Sequence, residues 1–287
     1  MSGADALSTT LDRVVAAVRQ SRRYSGIDEA VIRRSAARAL LEARGQVNDA
    51  IKRTKRQLHQ VYGAYAGVAH RYDRLLSRLT QAHAEGRDEF LAELRRIMAL
   101  HASTRERLLY LEDFYSALFA RVGPVTSILD VGCGLNPLAA PWMRLSHDAV
   151  YTAVEIEASL AAFVGDCLDL MAVRARSLVS DAIASPPQDT VDLALVLKLA
   201  PCLEQQQRGA AGDLIGSLRA RFVAVSFPVR SLGGRGKGMH ANYARVFEQM
   251  AGREQWNAEE IAVRGELLYL ITKVSSSSAG GDGGPIA

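Results

Sequence analysis

The stretch that most restricts what this chain can fold into is TSILDVGCGLNP, residues 126–137. Its first half, Ser127–Val131, is a short apolar run bounded by turn residues, the pattern of a strand buried on both faces of a parallel sheet. Its second half holds Gly132-Cys133-Gly134. Two glycines one residue apart permit a tight turn and let a ligand approach the main chain where a Cβ would collide. Asp130 lies just before the first glycine, and Glu155 closes the next apolar run, residues 150–154. A carboxylate about 20 residues beyond the first strand is where ribose recognition needs one.

A G-x-G alone is common in loops, and the third glycine of a dinucleotide fingerprint is absent, with Asn136-Pro137 in its neighbourhood. The acidic strand end at the right spacing is what adds weight. Together the two features resemble the S-adenosylmethionine (SAM) site of a class I methyltransferase, the alternative being a structural turn in another α/β protein. Downstream the pattern alternates, with strands predicted at 150–155, 175–179, 191–197 and 222–226 and helices at 158–171 and 203–219. That alternation implies a parallel sheet with helices on both faces, whose ligands bind beyond the carboxyl ends of the strands. Asp181, Lys198 and Pro228 each follow such an end. Two last strands, 258–263 and 267–271, separated by Arg264-Gly265-Glu266, read as a hairpin. Residues 275–287, SSSSAGGDGGPIA, form a low-complexity tail.

Residues 11–118 read almost entirely as helix. Leu11, Val14, Val15 and Val18 make one apolar stripe. Asp28 is placed to cap a second helix that Gly45 ends. In a third helix, 46–64, Val47, Ile51, Thr54, Leu58, Val61 and Tyr62 share one arc, and Lys52, Arg53, Lys55 and Arg56 lie roughly 150° away at ~100° per residue. The four charges have one sign and no i+4 carboxylate, which favours phosphate contact over a merely solvated face. Helices at 69–84 and 88–102 follow, the latter burying Phe90, Leu91, Leu94, Ile97 and Met98. His101 falls on that apolar side, where a core role is the ordinary one. Ser103 and Glu106 have the spacing of a capping box opening a helix to Phe119.

The charge distribution extends the same reading. The net charge is +4, but residues 1–80 carry 15 Lys/Arg against 7 Asp/Glu, leaving the remainder net acidic. A basic N-terminal quarter points to a polyanion, with nucleic acid ahead of a membrane surface. No apolar run approaches the ~18 residues of a membrane span and no leader pattern opens the chain, so a cytoplasmic protein is expected. Cys133, Cys167 and Cys202 are odd in number, far apart and outside any C-x-x-C pair, which indicates reduced thiols and no metal site.

With these segments in place the chain resembles the aminoglycoside-resistance 16S rRNA (guanine-N7) methyltransferases over nearly its whole length. Five motifs carry the likeness: KRTKRQLHQVYGAY at 52–65, HASTRERL at 101–108, DVGCGLNPLAAPWM at 130–143, LKLAPCLEQQQRG at 197–209 and SFPVRSLGGRGKGM at 226–239. Gly132 and Glu155 stand where relatives often have alanine and aspartate. The resemblance implies an α/β fold, a Rossmann-like class I methyltransferase domain at 106–274 after an all-helical, basic rRNA-binding domain at 1–105, with the tail at 275–287 disordered. It implies SAM as cofactor and 16S rRNA of the 30S subunit as partner, no DNA or membrane, and a monomer.

The likeness also implies residue roles. Arg107 would pair with the methionine carboxylate, with His101, Ala102, Ser103 and Tyr65 lining that end. Gly132 and Gly134 would border the methionine moiety and Glu155 the ribose, Asp130 preceding the loop. Asp181 and Ala182 would hold the adenine, Leu197 and Gln206 completing the pocket. Lys198 and Glu204 are the candidates for positioning the guanine, through O6 and through N1 with the amino group. Arg230, Arg235 and Lys237 would join Lys52, Arg53, Lys55 and Arg56 on the RNA. The rival readings are N1 methylation of a nearby adenine and a ribosome-binding protein with a vestigial SAM fold.

Overall fold

The computed structural model describes residues 3–21, 23–62, 71–229 and 238–273. Tyr65, Arg230, Arg235, Lys237 and the tail lie outside the described residues.

The sheet has seven strands: β1 Ser127–Val131, β2 Val150–Glu155, β3 Arg174–Val179, β4 Thr190–Leu197, β5 Arg219–Pro228, β6 Asn257–Ile261 and β7 Glu266–Thr272. Their order is β3-β2-β1-β4-β5-β7-β6, with β1 to β5 parallel and β7 antiparallel to both neighbours. The order reverses between β1 and β4, the switch point at whose carboxyl ends a crevice opens. Successive strand residues point to opposite faces. Ile128, Leu193, Leu195, Ala224 and Leu268 therefore enter one core, and Leu129, Val131, Ala194, Val196, Val223 and Val225 the other. Both faces are covered, which explains why β1 and β4 read as continuous apolar runs.

The helices are α1 Gly3–Arg19, α2 Glu29–Glu42, α3 Val47–Tyr62, α4 Tyr72–Glu85, α5 Arg87–Met98, α6 Ala102–Arg107, α7 Leu111–Val122, α8 Ala158–Leu170, α9 Ala200–Gln206, α10 Ala210–Ser217 and α11 Met239–Glu254. Helices α4, α5, α7 and α8 cover the first face, Tyr72 stacking on Phe163 at 4.8 Å. Helices α9 to α11 cover the second. Asp28 caps α2 as its sequence position suggests, accepting from the Ala30 N–H. A third core, from Val14 to Leu58, belongs to α1, α2 and α3. The apolar stripes of α4 and α5 are spent on the sheet and not on this third core.

Four local expectations change. The segment expected to run to Phe119 as one helix is interrupted by a 3₁₀ turn, Leu108–Tyr110, so that Arg107 just before it and Tyr110 at its end both reach Glu266. The Ser103–Glu106 capping box does not form: His101 is the cap, Ser103 lies inside α6, and Glu106 is drawn to Lys198 Nζ at 2.7 Å. The helix expected over 203–219 is two, α9 and α10, broken at Gly209 with φ +87°. Glu266, expected in the hairpin turn, is the first residue of β7 and is buried.

Candidate active site

A cavity of about 360 Å³ opens at the carboxyl ends of β1 to β4. Its floor is the loop after β1, where Gly132 and Gly134 adopt φ of +61° and +52°, left-handed values that favour glycine. A Cβ on Gly132 would come within 2.7 Å of Leu199 Cδ1, so the glycine also admits the turn after β4. The loop is tied to β2 by Cys133 N–H to the Val154 carbonyl at 3.0 Å and by Gly134 N–H to Glu155 Oε2 at 2.9 Å.

Glu155 faces the cavity from the end of β2. Burial pushes its pKa up, and the N–H groups of Gly134, Ile156 and Glu157 that it accepts oppose this. Oε1 already accepts from Ile156 and Glu157 N–H, while Oε2 retains room for one more donor, such as a ribose hydroxyl. Ala182, Leu197, Leu199 and Leu203 give the wall apolar surface for a base, and Gln206 lies at its edge.

At the other end α6 carries Arg107, only 2% exposed. Its Nε and Nη2 donate to the two oxygens of Glu266 at 2.8 Å each, and its Nη1 donates to Asn136 Oδ1 at 2.7 Å. Its guanidinium carbon sits 4.3 Å from the centroid of the Phe114 ring. Burial alone would lower its pKa; the Glu266 carboxylate reverses that and holds it above the usual value. One N–H on each terminal nitrogen remains for a carboxylate in the cavity. Glu266 also accepts from Ser226 Oγ at 2.7 Å and lies 3.4 Å from Lys198 Nζ. Burial would raise the Glu266 pKa, but Arg107 and Lys198 bring it below the usual range.

Several expected roles are corrected by this geometry. Asp130 turns away from the cavity and accepts from Asn136 Nδ2 at 2.9 Å and Tyr151 Oη at 2.7 Å, holding the loop from beneath. Its burial pushes its pKa up to about 6. His101 and Ala102 are buried behind the wall, with Ser103 and Thr104 forming it; burial holds His101 down at about 4. Lys198 is in the wall, but its ammonium donates to the Ser103 carbonyl and Glu106 and lies 3.4 Å from Glu266, so two of its three donors are already held within the protein. Glu204 is outside the cavity. Its oxygens accept from the N–H groups of Gly209 and Ala211 at 3.0 Å each and cap α10. Asp181 lines the cavity as expected, yet its carboxylate is paired with Arg34 of α2 and also accepts from Ile183 N–H.

The basic arc of α3 faces outward, with Lys52, Arg53 and Arg56 exposed and Lys55 half-buried. The i+4 positions hold no carboxylate, but Arg53 is paired in the other direction: its Nε donates to Asp49 at 2.8 Å one turn earlier and its Nη1 lies 3.9 Å from Glu42. Sequence reasoning looked toward i+4 and missed i−4.

Sequence reasoning also missed Arg34, Glu266, Asn136, Tyr72 and the segment 23–27 at this site. The one available signal was Glu266, a lone carboxylate opening the apolar run ELLYLIT. The others touch the cavity only through contacts distant in sequence.

A family model for ribosomal RNA methyltransferase (FmrO) matches residues 20–270. The chain is 43% identical over 265 residues to the 16S rRNA (guanine(1405)-N(7))-methyltransferase of Micromonospora echinospora, covering 92% of this chain and 97% of that one. Among solved structures it is similar to the 16S rRNA methyltransferase RmtF in complex with S-adenosyl-L-homocysteine, with a TM-score of 0.78 and 30% identity over 92% of this chain and 98% of the other. The 16S rRNA methylase RmtB follows with a TM-score of 0.74 and 26% identity over 92% and 98%.

Proposed function

The chain belongs to the FmrO ribosomal RNA methyltransferase family, and from that premise we propose that it methylates N7 of a guanine in the decoding site of 16S rRNA, at the position 1405 named for its relatives. The cofactor is S-adenosylmethionine, and the product confers resistance to aminoglycosides. The substrate is the 30S subunit, met by a monomer in the cytoplasm. The observation that carries this reading is the cavity itself, with Glu155 at one end, the two left-handed glycines in the middle and Arg107 at the other.

When bound, the cofactor supplies an electrophilic methyl group on a sulfonium. Guanine N7 has a lone pair and no proton, so the protein has no proton to remove and no general base is required. Positioning is then the main contribution, worth up to roughly 7 to 11 kcal/mol. Glu155 accepts from a ribose hydroxyl through Oε2, and the spare N–H groups of Arg107 take the methionine carboxylate, a charge-assisted pairing. Gly132 and Gly134 leave room for the chain between them. Lys198 holds Glu106 and the Ser103 carbonyl, which keeps α6 over the cavity and shields it from water. Lys52, Lys55 and Arg56 on α3, with Arg230, Arg235 and Lys237 outside the described residues, contact RNA phosphates. In A-form RNA the major groove is too narrow for side chains, so N7 is reached by flipping or distortion.

The test is primer extension on 16S rRNA from treated 30S subunits. An N7-methylated guanine is cleaved after borohydride and aniline, so a stop at one decoding-site guanine that depends on this treatment is expected. A direct stop at an adenine would replace the reading with N1 methylation. No stop of either kind, with SAM bound in calorimetry, would leave a vestigial SAM fold.

A further inference from the structure

The cavity is not built by the methyltransferase sheet alone. Arg23, Ser25, Gly26 and Ile27, the link from α1 to α2, form one wall opposite Gly132, Gly134 and Glu155. The link is fastened at the mouth by an antiparallel bridge between Ile27 and Glu157, with Asp28 N–H on the Ile156 carbonyl and Ala158 N–H on the Gly26 carbonyl, both at 3.2 Å. The fit is close. A Cβ on Gly26 would lie 2.6 Å from Glu157 Oε1, the same oxygen that accepts from Ser159 N–H to cap α8.

From α2, Arg34 reaches into the rim, where Nη1 and Nη2 pair with the Asp181 carboxylate and Nη2 also donates to Gln206 Oε1 at 2.9 Å. Arg38 Nη1 donates to the Gln206 carbonyl at 2.9 Å. Asp181 Oδ1 is filled by Arg34 and Ile183 N–H, leaving Oδ2 able to accept once more from a base amino group. Arg34 therefore orients the acceptor that the base meets.

The seam between the two bodies has a distinctive character. Helices α1 to α3 have their own core, and among the described residues Ile156 is the methyltransferase-side hydrophobic packed against it. The fastenings around the cavity are hydrogen bonds and ion pairs. Polar inter-domain seams permit relative motion, whereas a shared apolar core would not. A ligand in the cavity touches both bodies and so favours the docked arrangement over the undocked one. An rRNA gripped by the outer face of α3 while its target base enters the cavity also requires that arrangement, because only docking fixes α3 relative to the pocket.

We propose that the α1–α3 unit is a wall of the cofactor site, with Arg34 as its positioning residue, and that cofactor and rRNA bind with positive linkage through docking of this unit. The inference rests on the reading of the site as a SAM pocket in an rRNA methyltransferase. Linkage is reciprocal: whatever factor the cofactor adds to rRNA affinity, rRNA adds to cofactor affinity.

The experiment uses the full chain, S-adenosylhomocysteine as cofactor probe and purified 30S subunits. Each affinity is measured with and without a saturating amount of the other ligand. In the native protein both should rise by one common factor of about fivefold or more. S-adenosylhomocysteine should also slow backbone hydrogen exchange in α2. In Arg34→Ala the common factor should fall toward one and the added protection of α2 should disappear. Gly26→Ala, which pushes on Glu157 from the link and removes no ion pair, should reduce the factor by an independent route and stands in if Arg34→Ala does not fold. Both ligands binding the native protein with no mutual effect, or an unchanged factor in the two variants, overturns the proposal and leaves the SAM reading standing. A native protein that binds no S-adenosylhomocysteine removes the SAM reading, and this inference with it.

Discussion

The same pair of chemical groups, an arginine and a carboxylate, occurs in two settings in this molecule and has opposite consequences. Arg107 and Glu266 have side chains 2% and 0% exposed, whereas Arg53 and Asp49 are 45% and 47% exposed. In the buried setting each charge has lost its water, and the geometry must return what desolvation took; Asn136, Ser226 and Lys198 supply the remaining partners. On α3 water solvates both groups, and the pairing contributes little to stability. The buried network fixes the shape of a cavity. The exposed face leaves its cations available for phosphates. A charge is useful for binding a large polyanion because folding has not already spent it.

The largest expected effect comes from breaking the buried side of this comparison. Glu266→Ala leaves Arg107 and Lys198 without their shared carboxylate and should destabilise the fold by about 3 to 5 kcal/mol in urea denaturation. A loss below about 1 kcal/mol would mean that water reaches the network and that the two settings are alike. The Glu266 pKa lies below its usual value in the fold, so its contribution is present above the unfolded pKa and is lost as pH falls through the folded one.

Next in size is Glu155→Ala, which removes charge-assisted hydrogen bonds and should weaken SAM binding by roughly 1.5 to 3 kcal/mol in calorimetry. Unchanged affinity would take Glu155 out of the site.

A third test sharpens the buried side through pH. Asp130 is raised to about 6, so it favours the fold at low pH and loses that effect as pH rises from about 4 to about 6. His101 is lowered to about 4, so its effect is complete above its ordinary value of 6.5 and is lost as pH falls toward 4. The two slopes oppose each other between about 4 and 6. Asp130→Asn removes one of them, and stability lost between pH 6.5 and 4.5 should then exceed the native loss by about 2 kcal/mol. Equal losses in the two proteins would show that Asp130 does not titrate in this window.

The smallest effect on stability belongs to α3. Replacing Lys52, Arg53, Lys55 and Arg56 with glutamine should leave the urea midpoint nearly unchanged, while the slope of 30S affinity against salt flattens by about one for each phosphate no longer neutralised. Arg53, held by Asp49 and Glu42, should contribute less to that slope than Arg56. An unaltered slope would make the face merely solvated.

Much of the fold was legible in the sequence because it rests on local periodicity. The strand ending at Val131, the glycine turn, the strand ending at Glu155 and the basic arc of α3 each follow from residues close together in the chain. The misreadings came where a distant partner outweighed local preference. Ser103 and Glu106 have capping-box spacing, but Lys198, more than ninety residues away, claims Glu106. Glu204, expected to accept from the guanine, is a nearer case: its carboxylate is taken by the N–H groups of Gly209 and Ala211 at the start of α10, a helix break that the single helix expected over 203–219 did not contain. Glu266 reads as a turn residue until β5, β7 and α6 come together around it.

What the sequence by itself determined is therefore the strands, the glycine loop and the charge asymmetry, since these depend on backbone preferences and on spacing of about one helical turn or one strand step. Only the tertiary structure decided which charged groups are free to meet a ligand. Arg107 keeps two N–H groups for the cavity, Lys198 is held by Ser103 and Glu106, and Asp181 is shared with Arg34 of a unit almost 150 residues earlier. The physical reason is that a polar group removed from water must find partners wherever the fold places them. Those partners are chosen by proximity in space, which no local pattern in the chain records.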